Sequence, residues 1–331
     1  MTGRSAIPSA GGIADPSQEG AVPELPDVED YRAALADRVV DATLLGTRVR
    51  GVSLLKSYDP PLEALHGRAC AEVRRLGKRL VFAFPARTGG EVDLFAVLHL
   101  MVAGRLAWAA PSAPVPGKVG LAAFDWSAPG DPATPGGTLL LREAGSKKRA
   151  SLHVVAGEAA LADHDRGGVE PLEADLATFR GELQRERRTL KRALTDPRRF
   201  SGIGNAFSDE ILHAAGLSPV RRTDQLDDDE VARLHAATQR VLADWVGRLR
   251  AQTGDSFPEK VTAFREGFAV HGRYGEPCPA CGTEVQRIRY ADNETNYCPT
   301  CQTGGRLLAD RSLSRLLKDD WPKTVDELEG A

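Results

Sequence analysis

Four of the five cysteines in this 331-residue chain form two Cys-x2-Cys pairs, Cys278 with Cys281 and Cys298 with Cys301, sixteen residues apart. Each pair bends the chain so that two thiolates face one metal, and two pairs at this spacing are typical of a tetrahedral zinc site. Four protein ligands leave no open position for water, so we predict one structural Zn²⁺ ion. The spacing disfavours two redox dithiols or unrelated cysteines. Cys70 stands apart and is interpreted as a buried strand thiol.

A zinc module accounts for only a small part of the chain, and the remaining length allows about two domains. With 42% apolar and 27% charged residues, the composition excludes a wholly disordered chain. The most apolar stretch, residues 92–104, is interrupted by Asp93 and His99 and is too short to cross a bilayer. The N-terminal residues lack the apolar core of a secretory signal, so we expect a cytoplasmic protein.

Hydropathy patterns divide the chain into segments of different character. Residues 1–22 are rich in Gly, Ala, Ser and Pro and are expected to be a disordered leader or a misassigned start. Short apolar or alternating runs predict an antiparallel β-sandwich or barrel with a flanking helix over residues 23–156. Helical patterns predominate in residues 157–266, the zinc module covers 267–306, and an acidic tail covers 307–331. The predicted fold class is α+β.

Several elements can be placed within these segments. Residues 24–27, with one proline and two acidic side chains, predict the start of a helix. Residues 49–55 are predicted to form a strand, whereas residues 109–118 and 127–137, rich in Pro and Gly, are predicted to be loops. An apolar stripe at helical spacing predicts a long helix over residues 227–249.

The net charge of -3 conceals three basic clusters. Residues 72–79 and 142–149 each carry four basic side chains and one acid, and residues 185–200 carry seven basic side chains and two acids. A Gly-Ile-Gly-Asn turn at residues 202–205 then opens a short helix that is expected to end at Gly216. The free N–H groups at the start of this helix are expected to suit one phosphate. Any one cluster is commonly a solvated surface, but together with a zinc ribbon they favour a nucleic-acid partner.

Five segments carry a more specific pattern: PELPDVE at 23–29, RRLGKRL at 74–80, HLMVAGRL at 99–106, TLKRALTDPRRFSGIGNAFSDEILHAAGLSP at 189–219, and VHGRYGEPCPACG at 270–282. In these segments and their order, the chain resembles the formamidopyrimidine-DNA glycosylase/endonuclease VIII family of base-excision repair enzymes. The resemblance implies an N-terminal antiparallel β-sandwich with flanking helices, a helix-two-turn-helix domain and a C-terminal zinc ribbon hairpin. The expected partner is double-stranded DNA containing a damaged base or an abasic site. We accordingly expect a monomer acting on the nucleoid of a bacterium.

The resemblance also implies a catalytic set of Pro23, Glu24 and Lys78. The family's nucleophile is the secondary amine of an N-terminal proline, which attacks C1′ of the damaged nucleotide, expels the base and forms an iminium. This positive nitrogen is an electron sink, so β- and δ-elimination can follow and cut the strand. Glu24 matches the family's acid/base and Lys78 its lysine near the scissile phosphate. The stacked base must first be flipped out of the duplex.

Contacts to DNA are predicted from the same resemblance and from the basic clusters. Lys191 and Asn205 match positions that hold the DNA backbone, and Asn293 stands where the zinc ribbon usually offers an arginine, so that Arg287 or Arg289 is expected to compensate. The predicted set comprises Lys118, Lys147, Lys148, Arg149, Lys191, Asn205, Arg287, Arg289 and Asn293.

The chain departs from the family pattern in several places. Pro23 follows 22 residues, and a prolyl nitrogen inside a chain is a tertiary amide that is not nucleophilic. We therefore hypothesise that translation starts at Val22, from a GTG codon read as Met, and that this Met is removed. The loop at 145–151 lacks the family's aromatic wedge, Val102 stands where the family has an intercalating methionine, and residues 245–270 are short for a lesion-capping loop.

These departures leave the lesion open among oxidised pyrimidines, ring-opened purines and abasic sites. They also leave three functions to compare. The first is a bifunctional DNA glycosylase/AP lyase, the second a family member that binds damaged DNA without cutting it, and the third a zinc-ribbon protein with another nucleic-acid or protein role.

Overall fold

A computed structural model describes residues 22–87, 92–145, 147–258, 261, 265–290, 293–308 and 323–329. The α-helices are α1 Leu25–Val39, α2 Gly157–Ala162, α3 Leu176–Gln184, α4 Leu190–Leu194, α5 Asn205–Ala215, α6 Asp228–Thr253, α7 Pro299–Thr303 and α8 Val325–Glu329. The strands are β1 Leu44–Val49, β2 Glu72–Leu76, β3 Arg79–Phe84, β4 Leu94–His99, β5 Gly104–Ala109, β6 Gly120–Ala128, β7 Asp131–Glu143, β8 Ser151–Ala156, β9 Gln286–Tyr290 and β10 Asn293–Tyr297. Short 3-10 helices cover Val52–Leu54, Leu62–Leu65 and Thr223–Gln225.

The N-terminal half is the predicted antiparallel sandwich. One sheet has the strand order β1-β6-β7-β5 and the other β2-β3-β4-β8. Their facing side chains, among them Phe82, Leu98, Phe124 and Leu139, form one buried core, and Tyr31 of α1 packs into it. The alternating apolar positions of the strands place one row of side chains in this core, which is why the sequence pattern identified the sheets.

Helix α1 connects the two halves of the molecule. Pro26 occupies its first turn, and the backbone N–H of Glu24 donates to Asp27 Oδ2 over 2.8 Å, which satisfies an otherwise free donor. Val28 packs in the sandwich core, but Leu25 packs in the core of the helical domain. The start of α1 is therefore fixed by both domains.

The helical domain is built around α5 and α6. Phe207 of α5 and Leu234 and Trp245 of α6 lie in its buried core. Helix α5 ends at Gly216, whose φ of +64° suits glycine, as the sequence pattern predicted. Strand β10 and helix α7 of the zinc module contact α5, so this helix also carries the C-terminal module.

Two predicted elements are wrong, and some predictions fall outside the described residues. Residues 49–55 are not a strand: β1 ends at Val49 and a 3-10 helix follows, because the backbone N–H groups of Arg50 and Gly51 both donate to the Leu121 carbonyl and end the regular strand pairing. Residues 127–137 are not a loop, since β6 and β7 extend through them as a hairpin that turns at Gly130 (φ +73°). Residues 1–21 of the leader and 309–322 of the tail are not described.

Membrane insertion through a helix has no support in the described part of the chain. None of its helices combines the length and the apolar character needed to span a bilayer.

Candidate active site

The carboxylate of Glu24 is buried where α1 meets the N-terminus of α5. Its Oε2 accepts hydrogen bonds from the backbone N–H groups of Gly204 and Phe207 over 2.7 and 3.1 Å, and its Oε1 accepts one from Ala206 over 2.9 Å. These donors belong to the first turn of α5, where no intrahelical acceptor exists and negative charge is favoured. The expectation that they bind a phosphate is therefore wrong, because Glu24 already occupies them.

The residues before Glu24 differ sharply in exposure. Pro23 is buried, whereas the side chain of Val22 is 37% exposed. Because Glu24 is fixed by α5 through its side chain and by Asp27 through its backbone N–H, the position of Pro23 is determined by both domains. Pro23, the residue that precedes Glu24, thus has a defined position.

Lys78 approaches the same carboxylate from the sandwich. It lies in the turn between β2 and β3, after Gly77, whose φ is +62°. A Cβ placed on Gly204 would overlap both the Lys78 amine and the carboxyl group of Glu24, so the three residues meet at one point. Burial lowers the pKa of the Lys78 amine, and the nearby Glu24 carboxylate opposes this change. Two of the three predicted catalytic residues, Glu24 and Lys78, are therefore brought together at Gly204.

Asp27 and Arg265 are two residues of this site that sequence reasoning missed. Arg265, beyond α6, forms a buried ion pair with Asp27 and lies over the Trp245 ring. Burial lowers the pKa of Arg265 to about 10, and the charge of Glu24 opposes the change. Asp27 lies within the PELPDVE segment, so the sequence motif could have indicated it as a site residue. No motif in the sequence around Arg265 indicates such a role.

Two adjacent buried acids in the middle of α5 fix the elements around it. Asp209 accepts from the Lys191 amine over 2.5 Å and from the His271 ring over 2.9 Å. Glu210 accepts three backbone N–H groups of residues 269–271 over 2.7 to 2.9 Å. The Lys191 amine thus has a carboxylate partner inside the protein, and its contact with DNA stays a prediction.

The zinc ribbon hairpin lies beside the start of α5. Asn205 donates from its side-chain amide to the carbonyl of Glu294 in β10 over 2.9 Å. Arg287 and Arg289 of β9 face the carboxylate of Glu294 at 3.5 and 3.6 Å, and Arg287 also lies over the Tyr274 ring. The side chain of Asn293, a predicted DNA contact, lies outside the described part of the structure.

The other predicted DNA contacts lie on two loops of the sandwich. Lys118 is exposed just before β6, and Lys147 and Arg149 are exposed between β7 and β8. The buried carboxylate of Glu143 shapes the second loop, since it accepts the backbone N–H of Arg149 over 2.9 Å, while Lys148 donates to the Glu143 carbonyl. The structure does not bring these four residues to Gly204, and their role stays a prediction.

The four cysteines of the ribbon form one metal site. Their Sγ atoms all lie within 4.8 Å of one another. Ligands of a tetrahedral zinc ion, with bonds of about 2.3 Å, lie about 3.8 Å apart. The Sγ atoms of Cys278 and Cys301 are 3.9 Å apart, and those of Cys281 and Cys298 are 3.4 Å apart, so the site suits one structural zinc ion. The ring of His213, on α5, is 3.3 Å from Cys278 Sγ.

Comparison with known proteins agrees with this architecture. The profile described as the formamidopyrimidine-DNA glycosylase N-terminal domain matches residues 22–132, that of the H2TH domain of the same enzyme matches 168–254, and that of a zinc finger found in FPG and IleRS matches 275–304.

Individual proteins give the same result. Formamidopyrimidine-DNA glycosylase of Heliobacterium modesticaldum is 33% identical over 85% of this chain and 100% of its own length. An uncharacterized formamidopyrimidine-DNA glycosylase-like protein of Mycobacterium tuberculosis is 42% identical over 46% of this chain and 94% of its own length. The structure of Lactococcus lactis Fpg in complex with abasic-site DNA shares the fold, with a TM-score of 0.69 and 24% identity over 85% of this chain and 99% of its own. The chain belongs to the formamidopyrimidine-DNA glycosylase family.

Proposed function

We propose that this protein is a DNA glycosylase with AP lyase activity, which removes oxidised or ring-opened bases from double-stranded DNA through a Schiff base on Pro23. The observation that carries the proposal is the meeting of Glu24 and Lys78 at Gly204, with Pro23 the residue that precedes Glu24 in the chain. A nucleophile position, a carboxylate and an amine of lowered pKa in one place are what base removal followed by elimination requires.

The first step is displacement of the base. The neutral Pro23 amine forms a bond to C1′ while the bond from C1′ to the base breaks, and the base leaves with its bonding electrons and takes up a proton. The Glu24 carboxylate, held by three N–H donors, takes the N–H proton from the attacking amine and delivers it to the ring oxygen O4′ as the C1′–O4′ bond opens. The product is an iminium between Pro23 and C1′. Its positive nitrogen accepts the electrons released when a C2′ proton is lost, and the C3′–O bond then breaks.

This chemistry requires Pro23 to be the first residue of the active protein. A free α-amino group has a pKa of about 8, so part of the population is neutral near physiological pH. We infer that the active form begins at Pro23, either because translation starts at Val22 or because the residues before Pro23 are removed. The family profile begins at residue 22, which supports this position of the start.

We propose that Lys78 binds a backbone phosphate of the DNA at this site. Its amine lies at the turn between β2 and β3 and has no ion-pair partner within 4.0 Å among the residues that the structure describes. A backbone phosphate of the damaged nucleotide would supply the missing negative charge. The relatives' names and the abasic-site DNA in the Lactococcus lactis complex support duplex DNA as the partner. We propose that one copy of the chain suffices and that it acts on cytoplasmic DNA.

Borohydride trapping on duplex DNA with one abasic site tests the proposal. Borohydride reduces an iminium to a stable amine, so a covalent adduct reports the Schiff base directly. We expect an adduct with protein that starts at Pro23 and none with the 331-residue chain. Adducts with both forms would indicate that the nucleophile is a lysine, with Lys78 as the first candidate. No adduct with either form would refute the lyase and favour a family member that binds damaged DNA without cutting it.

A further inference from the structure

A cavity of about 240 Å³ lies where the sandwich meets the helical domain. The turn between β2 and β3 and the end of β4 form one wall, and the linker after α2 and the segment before α5 form the other. Gly202 and Ile203 belong to the second wall and directly precede Gly204. The cavity is therefore next to the Glu24 site but does not include Glu24.

Three cations from two separate parts of the chain converge on this cavity. Lys78 and Arg79 come from the sandwich, and Arg166 comes from the linker between the domains. Within the described part of the chain, no carboxylate lies within 4.0 Å of any of their charged nitrogens. Asp165 is the single acid in the lining, and its carboxylate accepts the backbone N–H of Gly167 over 2.9 Å. The lining thus has a formal excess of two positive charges.

Two histidines also line the cavity, together with the hydroxyl side chains of Thr195 and Ser201. His99 lies opposite Arg79 in the register of β3 and β4. Its Nδ1 accepts the backbone N–H of Met101 over 2.8 Å, so the ring proton sits on Nε2. Burial and the neighbouring cations lower the pKa of His99 to about 4. Burial also lowers the pKa of His164, whose ring packs edge-on against His153.

We propose that this cavity binds a phosphate group, with Arg79 and Arg166 as its ligands from opposite sides of the domain junction. A guanidinium offers two parallel N–H donors that match phosphate oxygens. No Phe, Tyr or Trp side chain lines the cavity, so its cationic lining suits an oxyanion better than a stacked nucleic-acid base. The volume exceeds that of a few water molecules, each of about 30 Å³.

The source of the phosphate follows from the position of the cavity and rests on the proposed function. Because Gly202 and Ile203 lead into Gly204, the bound group would belong to the strand whose nucleotide is attacked at Pro23. It is either an internal phosphodiester beside the damaged nucleotide or the terminal phosphate left after the strand is cut. Both present the same oxyanion to Arg79 and Arg166.

Glutamine variants of the two arginines test the site without requiring turnover. Arg79→Gln, Arg166→Gln and the double variant are compared with Arg240→Gln, which changes an exposed arginine of α6. The ligand is a duplex with a non-cleavable abasic analogue. The double variant should bind about tenfold more weakly, since charge-assisted hydrogen bonds are lost. The slope of log K against log salt should fall in magnitude by about 0.9, as for one lost phosphate contact. An affinity and slope equal to those of Arg240→Gln would overturn the proposal.

Inorganic phosphate is the second probe, and it separates this proposal from the proposed function. Millimolar phosphate should raise the melting temperature of the wild type and of Arg240→Gln, but not that of the double variant. An equal rise of the melting temperature in all three proteins would overturn the proposal that this cavity binds phosphate. Failure of borohydride trapping, with this difference intact, would refute the proposed lyase alone.

Chemically altered DNA distinguishes the two sources. A methylphosphonate at each internal position in turn removes one charge, and removal of the terminal phosphate from a cut duplex does the same at the end. A loss of affinity in the wild type that is absent from the double variant identifies the bound phosphate as internal or terminal. If no position gives such a difference, Arg79 and Arg166 do not bind phosphate and the proposal fails.

Discussion

Replacement of Glu24 by glutamine separates its structural and chemical roles. The carboxylate is 4% exposed and accepts three backbone N–H groups at the start of α5. A glutamine side chain has one acceptor oxygen. Placed at the Oε2 position, this oxygen keeps the bonds from Gly204 and Phe207, but the amide nitrogen then faces the N–H of Ala206, so two donors oppose each other.

The loss of stability in Glu24→Gln follows from these hydrogen bonds. One buried donor without a partner costs about 1–3 kcal/mol, and the two remaining bonds lose the assistance of a charged acceptor, at about 1 kcal/mol each. The free energy of unfolding should therefore fall by about 3–5 kcal/mol. With an unfolding entropy of about 2.1 cal/mol/K per residue, a chain of 331 residues loses about 1.4 °C per kcal/mol, so the melting temperature should fall by at least about 4 °C.

The assay measures melting, DNA binding and base excision on the same preparations. Asp175→Asn is the matched control, because Asp175 caps α3 through one exposed bond to Thr178 N of 2.8 Å and asparagine can still accept it. Its melting temperature should change by less than about 2 °C. Glu24→Gln should melt lower, bind damaged DNA and fail to excise the base. An unchanged melting temperature would refute the described bonding, and excision at the normal rate would remove Glu24 from the mechanism.

Three further predictions concern the metal, pH and the glycine at the site. Cys298→Ser should lose zinc and with it DNA binding, measured by metal content and gel shift; binding without zinc would show that the ribbon serves another purpose. His99 has a pKa of about 4 in the folded protein against 6.5 in the unfolded chain, so the unfolded state takes up its proton first as pH falls. Through this residue the wild type should lose up to about 3 kcal/mol of stability between about pH 6.5 and 4, whereas His99→Asn, which retains an acceptor, should not show this loss. Melting temperatures measured against pH test this, and parallel curves for the two proteins would contradict it. Gly204→Ala should fold, since φ is -130° at this position, but should lower excision about 100-fold by displacing Lys78 or Glu24; normal single-turnover rates would contradict the close packing.

The sequence predicted those parts of the molecule that depend on local patterns. The alternation of apolar residues identified the sandwich, and Gly216 identified the end of α5. The two cysteine pairs identified the zinc site, because ligand spacing is a property of the chain itself. The family resemblance brought Glu24 and Lys78 into one site.

Features that depend on distant parts of the chain were not predictable in this way. The N–H groups at residues 202–205 suited an anion, but only the packing of α1 against α5 shows that this anion is the Glu24 carboxylate. Arg265 reaches Asp27 across 238 positions of sequence, and no local pattern encodes such a contact. The basic clusters likewise predicted where positive charge lies but not what it contacts, since the Lys191 amine is paired with the buried Asp209 carboxylate.

Helix α5 sets the distance between the zinc site and Glu24. Its N-terminus holds Glu24, and near its other end His213 contacts a zinc ligand, with 11 helical residues from Asn205 to Ala215. At about 1.5 Å per residue, these span about 16 Å. One inserted residue would lengthen the helix by only about 1.5 Å, but it would rotate everything beyond it by about 100°. The zinc site and the Glu24 carboxylate would then face directions that no longer match, so a change in the length of this helix would disturb both at once.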